Sequence, residues 1–556
     1  MQLTNFADSV TSPALSADGR MLTFIRGSSS FVGAGQIWVK FLPDGEPKQI
    51  TRDDLQKMSP VFSLDGSRIV YTTVEQSGWN TREVPVLGGE PKLVLPNAAG
   101  LVWQINNKVL FSEIIRGGDG NHMKIVEAED RRAGARDVYV PTPKGAMAHR
   151  SYPSPDGKWV LVAEMDECGT WLPCRLLAMD GSSAGKAVGP SGAACWFSAW
   201  SPDGKWTYFN SSVDGGFHIW RQRFSQDGRL AEPEQITSGA TEEEGIAMSP
   251  DGRSFITAVG LKQGSVWLRG PKGDRQVSLE GVARQPRFTQ DGNRLLYVVG
   301  TSGSPERREL WVAALNSGRA EALLPGFSVG GDDVRQPFDV SSDSRTVALE
   351  ARDQKGERGL WLAPLDRRTS PRRISDLQGD GRLCGPTGEI YFRAREADYG
   401  FAYRVREDGS GLRKVSTQPV YSTVSVSPDG HLIVNARTGE HETGRTLALP
   451  LRGGPPVPIY GRFMALKWSP DGKLLFLSVP RTFYSGQSGN TYVLPLRPGR
   501  ALPQVPAGGF PSEESVARMP GVRVIDSPDV APGPTRDVFA FSRVTVQRNL
   551  YRIRVP

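Results

Sequence analysis

Eight short turns of the form Ser-x-Asp-Gly punctuate this chain, closing at Gly19, Gly66, Gly157, Gly204, Gly252, Gly292, Gly430 and Gly472, with Thr289 replacing Ser in one copy. Most neighbouring copies lie 40 to 48 residues apart, and the two wide gaps, 91 and 138 residues, approach two and three periods. Asn106-Asn107-Lys108 fills the first gap; Ser341-Ser342-Asp343-Ser344 and Gly385-Pro386-Thr387-Gly388 fill the second. A period of this length is the mark of a repeat architecture in which no single unit buries its own faces.

The residues flanking each turn name the unit. In Ala199-Trp200-Ser201-Pro202-Asp203-Gly204-Lys205-Trp206-Thr207-Tyr208-Phe209, apolar residues alternate on both sides of a tight turn. This is a β-hairpin: Pro presets φ, Asp bonds the backbone two residues on, and Gly accepts a positive φ. A third strand recurs at Ile37-Trp38-Val39, Ile219-Trp220-Arg221, Val266-Trp267-Leu268, Leu310-Trp311-Val312, Leu360-Trp361-Leu362 and Tyr492-Val493-Leu494. A short fourth follows, as in Gln49-Ile50-Thr51, Gln235-Ile236-Thr237, Arg373-Ile374-Ser375 and Lys414-Val415-Ser416. Four antiparallel strands per period make a β-propeller blade, and Trp at one register marks packing between blades.

Counting the degenerate copies and an irregular last blade gives about twelve, read as tandem all-β propellers of two six-bladed rings. The first is assigned to residues 1–271 and the second to 272–556, with a Pro/Gly-rich excursion at 498–534. Gln2-Leu3-Thr4 reads as a lone fourth strand and Asn549-Leu550-Tyr551-Arg552-Ile553 as a lone third strand, so each end lacks what the other has. Arg275 to Leu279 is then expected to close the second ring against Asn549 to Val555; a seven-plus-five split, or a discontinuous pair in which the termini meet, stays open.

Composition agrees with short half-exposed strands: 38% hydrophobic residues with 63 Gly and 42 Pro, and a mean hydropathy of −0.36. The net charge of +7 is spread without a basic run, so no nucleic-acid groove is expected. Met1 to Val10 has no export-signal pattern and no stretch reaches 18 apolar residues, so no membrane insertion is expected. The compartment is cytoplasmic by default, and extracytoplasmic if the chain belongs to a membrane-anchored regulator. Cys168, Cys174, Cys195 and Cys384 lack metal-site spacing; Cys168 and Cys174 can face each other across one hairpin, but packed free thiols are the reading adopted.

The repeats resemble the TolB-like propeller throughout the chain. More narrowly, Trp171-Leu172-Pro173-Cys174-Arg175, Thr241-Glu242-Glu243-Glu244-Gly245-Ile246-Ala247 and Gln547-Arg548-Asn549-Leu550-Tyr551-Arg552-Ile553 look like the propeller region that follows a kinase or winged-helix domain in bacterial regulators. That resemblance implies a sensory or interaction module serving an upstream effector domain. It implies no kinase activity, since the chain has no Gly-rich phosphate loop, Val-Ala-Ile-Lys, His-Arg-Asp or Asp-Phe-Gly.

Catalytic signals are weak. Gly326-Phe327-Ser328-Val329-Gly330 fits the nucleophile-elbow pattern but lies in a loop between blades, and His122, His149, His218, His431 and His441 fall in different blades without ligand spacing. Binding at a propeller face is instead read from the loops opposite the Ser-x-Asp-Gly turns. They place Glu242, Glu243 and Glu244, with Trp171 and His149, at the rim of the first ring, and Asp332, Asp333, Arg335, Arg393, Arg395, Tyr421, His441 and Arg462 at the second. The expected function is a non-catalytic sensor or scaffold, with no cofactor or metal, that binds a protein or small molecule. The alternative is a propeller hydrolase or lyase acting on a glycan, lactone or peptide.

Overall fold

In a computed structural model, the described residues are all but 30, 76–77, 105, 116–121, 130–131, 143–144, 167–170, 214–215, 302–303, 331–336, 376, 378, 397–398, 437–443 and 481–488. They form small antiparallel sheets and a single short helix, Glu513–Ala517. No helix is long and apolar enough to cross a membrane.

The repeated turn has one geometry. At Ser201, Oγ donates to Asp203 Oδ1 (2.6 Å) and accepts from Trp206 N (2.9 Å); Asp203 Oδ1 also accepts from Lys205 N (3.1 Å), and Gly204 holds φ +68°. Donors on both sides stabilise the charged carboxylate, so Asp203 is held below the usual range, first by Ser201. The degenerate turns keep the bend: Asn107 and Ser344 take left-handed φ of 62° and 59°, and Gly388 φ +80°.

The chain divides into two compact units, the first formed by the described residues of 1–117, 121–262 and 545–556 and the second by those of 263–544. In the first, five blades follow in order, beginning with Val10–Leu15, Met21–Arg26, Gln36–Phe41 and Lys48–Gln49. The fifth is Cys195–Trp200, Trp206–Ser212, Phe217–Arg223 and Glu234–Gln235. The sixth is assembled from distant segments. Glu242–Met248 pairs with the start of the 17-residue strand Ser254–Gly270, that strand pairs with Phe539–Arg554, and Gln2 bridges Tyr551. The termini therefore meet in one blade, Leu3 N donating to Leu550 O (2.7 Å) and Arg552 N to Met1 O (2.8 Å).

The second unit also has six sheets, from Val282–Phe288, Arg294–Thr301, Ser304–Ala314 and Ala320–Ala322 through to Ala465–Trp468, Leu474–Pro480, Gly489–Pro495 and Arg523–Ile525. Its last sheet joins Val530–Pro532, the start of Phe539–Arg554, the end of Ser254–Gly270 and Gly273–Gln276.

This differs from the closure expected from the sequence. Gly273–Gln276 pairs with Trp267 to Gly270 of its own long strand and not with residues 549–555. The cause is local: Trp267, read as part of a separate third strand, belongs to the same continuous strand as Ile256. Gly264 does not take positive φ, so no turn forms between them. The 498–534 excursion likewise supplies structure, with the helix capped by Ser512, the fourth strand Arg523–Ile525 and the strand Val530–Pro532; its Phe510 and Val516 are buried with Leu475 and Leu477.

Cores form between neighbouring blades. Ile25, Ile37 and Val39 of the first blade pack on Phe62, Ile69 and Tyr71 of the next. Each such buried side chain contributes roughly 1.5–3 kcal/mol. Trp38, Trp220, Trp267, Trp311 and Trp361 are all half-buried at the register the sequence singled out.

Candidate functional site

The innermost strand of every blade in the first unit is bulged, and the bulge aims the residues that precede it. Registers slip between Thr11 and Ala14, Met58 and Val61, Ala148 and Arg150, Cys195 and Ser198, and Glu244 and Ala247, and opposite Gly100. Left-handed residues mark them: Ser12, Ser59, Gly100 and Gly245, at φ 53°, 49°, 60° and 78°. Gly245 is required twice over, since a Cβ there would also lie 2.6 Å from Pro13 Cδ. A bulge adds twist and redirects side chains.

His149 and Trp196, inside two of these bulges, meet rings from the connections between second and third strands at the end opposite the Ser-x-Asp-Gly turns, so that four blades contribute. Phe31 comes from the first blade, Trp79 from the second, His149 and Trp171 from the fourth, and Trp196 and Phe217 from the fifth. Centroid separations are 4.8 Å for Phe31–His149, 5.2 Å for Phe31–Trp171, 5.8 Å for Trp79–His149, 5.7 Å for Trp171–Trp196 and 4.5 Å for Trp196–Phe217. Trp79, His149 and Phe217 are buried, while Phe31, Trp171 and Trp196 stay half-buried. Trp171 is thus one wall of an aromatic mouth and not an isolated exposed ring.

Arg150 supports this mouth. It is buried, and its guanidinium donates to Ser59 Oγ (3.2 Å), Trp196 O (3.2 Å) and Phe31 O (3.3 Å), 4.3 Å from the Phe197 ring centroid. One side chain thereby ties four blades together. Burial, and then the charge of Arg150, push His149 down to about 3, so its imidazole is neutral; among the described residues neither ring nitrogen has a hydrogen-bond partner.

Glu242, Glu243 and Glu244 do not form a solvated rim: they are 7%, 3% and 2% exposed. Glu243 binds His218 Nδ1 (2.9 Å) and accepts from Thr237 Oγ1 (2.5 Å), and Glu244 binds Arg548 (2.6 Å), which also lies 3.6 Å from Glu242. Arg548, from the far end of the chain, partners Glu242 and Glu244, and the nearby His218 and Thr237 partner Glu243, which offsets the cost of burying the run. Beside His218 a cavity of about 180 Å³ is lined by Val213, Trp220 and Gln235, smaller than the ~300 Å³ at which ligand pockets usually begin.

Cys174 is bonded to Cys195, not left as a thiol and not joined to Cys168, which lies outside the described residues. The bond links the third strand of the fourth blade to the inner strand of the fifth, three residues from Trp171 and one from Trp196.

In the second unit, Asp332, Asp333, Arg335 and His441 lie outside the described residues. Arg393 is buried and donates to Val420 O (2.9 Å); Arg395 is half-buried; Tyr421 stacks on Phe463 at 5.1 Å; Arg462 is exposed. The sequence reading missed a second group lower on the inner strands. Arg287 faces Asp339 (3.2 Å), and Lys467 faces Asp529 (3.9 Å) and donates to Val530 O (3.0 Å). Burial and the nearby Arg287 draw Lys467 down to about 8 against the pull of Asp529 and Asp339. Ser328 of the elbow-like motif lies on the short strand Ser328–Val329, paired with Thr346–Arg352. Among the described residues no group of three or more His, Cys, Asp or Glu is placed to hold a metal ion.

No family model matches the chain, and no curated protein matches it. Among solved structures it is similar to TolB of Agrobacterium tumefaciens (18% identity, TM-score 0.22, covering 50% of this chain and 83% of that one). It is also similar to the tricorn protease (11%, TM-score 0.34, 97% and 63%) and to an oligogalacturonate lyase in complex with manganese (14%, TM-score 0.32, 65% and 89%). The fold stands on the chain's own sheets: it is a tandem β-propeller.

Proposed function

We propose that the chain is a non-catalytic binding propeller whose partner docks at the aromatic mouth of the first unit. The observation that carries this is the convergence of Phe31, Trp79, Trp171, Trp196 and Phe217 around a neutral, unpartnered His149, with three of the rings still open to solvent. Half-buried aromatic clusters braced by Arg are what interface hot spots are built from. The charge of Arg150 beneath the rings disfavours a cationic ligand, so the occupant is a protein segment presenting an aromatic or aliphatic side chain. A role beside an effector domain in a bacterial regulator follows from the sequence resemblance and is part of the same proposal.

Selection of displayed peptides on the intact protein tests it. Enriched peptides should share an apolar anchor, and Trp171→Ala or Trp196→Ala should weaken binding at least tenfold (about 1.4 kcal/mol) without moving the melting midpoint by more than a few degrees. Peptides that bind both variants as tightly as the wild type would contradict it.

A further inference from the structure

The inner strands of the second unit differ from those of the first at one register, two residues before the first residue of the Ser-x-Asp-Gly turn or its equivalent. In the first unit that position holds Ala14, Val61, Val102, Tyr152, Ala199 and Ala247. The fold therefore requires no charge there. In the second unit it holds Leu383 and Ala531 in two blades but Arg287, Asp339, Ser425 and Lys467 in the other four.

Contacts run around this level through neighbouring blades. Lys467 faces Asp529, Asp529 accepts from Gln285 N (2.9 Å), Arg287 faces Asp339, and Asp339 accepts from Cys384 N (3.0 Å). Both carboxylates are supplied by neutral donors as well, Asp339 by Val340 N (2.9 Å) and Asp529 by Ser542 Oγ (2.5 Å). The donors are not matched in return. Among the described residues, Lys467 has three N–H bonds to give and one acceptor within 3.0 Å, Ser425 Oγ is buried with no partner, and Arg287 Nε is buried and meets Asp339 outside hydrogen-bond geometry. Solvent still reaches the group, the side chains of Arg287, Lys467 and Asp529 being 16%, 11% and 24% exposed.

Buried donors without acceptors are rare, and an ionised acceptor is the group that satisfies them best. We infer that Arg287, Ser425 and Lys467 form an anion site on the inner strands of the second unit, taking the carboxylate or phosphate group of a small ligand. The site is independent of the aromatic mouth.

Thermal unfolding and calorimetric titration of the full chain, with inorganic phosphate and with succinate against chloride at equal ionic strength, test it. The midpoint rises by about 2 °C or more with at least one probe. A response to both marks a general anion site, to phosphate alone a phosphate group, and to succinate alone a carboxylate. Lys467→Met abolishes the rise and Ser425→Ala weakens the titrated affinity about tenfold; if Lys467→Met does not fold, Ser425→Ala decides. No response to either probe, or an equal response in wild type and Ser425→Ala, overturns the inference.

Discussion

Asn549 holds Thr4 and Phe6 at the seam where the two ends of the chain meet: its Oδ1 accepts from Thr4 Oγ1 (2.9 Å) and Phe6 N (2.8 Å), and its Nδ2 donates to Phe6 O (3.1 Å). This seam adds the N-terminal segment to the sixth blade of the first unit. Asn549→Ala removes the acceptor of the Thr4 hydroxyl proton and of the Phe6 amide and should cost about 2 kcal/mol, whereas Arg554→Ala, at the exposed end of the same strand, should cost under about 0.5 kcal/mol. Urea unfolding followed by tryptophan fluorescence measures both.

The Cys174–Cys195 bond encloses a short loop, the cysteines being 21 residues apart, and tethers two blades. Loop closure of that size is worth about 3 kcal/mol. Reduction, or the Cys174→Ala/Cys195→Ala pair, should lower the melting midpoint by several degrees, and reductant should leave the double variant unchanged.

Burial of His149 gives the first unit a pH dependence. Its imidazole is neutral in the folded state down to about 3, while the unfolded chain takes up a proton near 6.5. Its contribution is therefore complete above about pH 6.5, and stability falls by up to about 1.4 kcal/mol per pH unit from there toward 3. His149→Phe keeps a ring among Phe31, Trp79 and Trp171 and should remove this slope, seen as a smaller loss of midpoint between pH 7 and 5.

The turns give a second, more acidic dependence. Asp18, Asp65, Asp203, Asp251 and Asp471 are held below the usual carboxylate range, chiefly by the preceding Ser hydroxyl, and Asp65 reaches about 2. Depressed folded-state values mean stability that is complete above about pH 4 and lost as pH falls toward 2. Ser201→Ala removes a hydrogen bond to Asp203 and one from Trp206 N, and should cost about 1 kcal/mol at pH 7 and less at pH 2.

The blade was legible because its information is local: Pro202, Asp203 and Gly204 act on their own backbone, and the alternation beside them sets the strand faces. What crossed the chain was not. Glu242 and Glu244 were placed at a binding rim because the cation that buries them, Arg548, lies some 300 residues away. Cys174 finds Cys195 in the next blade, so hairpin geometry pointed to the wrong thiol. His149 and Trp171 were picked out by loop position, but Trp196 joins them through a bulge, and Phe31, Trp79 and Phe217 through the ends of neighbouring blades, which only the paired strands reveal. Arg287, Asp339 and Lys467 were within reach, since aligning the turns puts all three at one register.

The docking surface proposed for this protein is the aromatic mouth of the first unit. Hydrogen exchange of the intact protein, with and without a selected peptide at saturation, tests it most directly. Protection concentrated at Phe31–Val32, Trp79, Trp171–Leu172 and Trp196, with none in residues 263–544, is the predicted result. Protection confined to the second unit, or to the Ser-x-Asp-Gly turns, would contradict it.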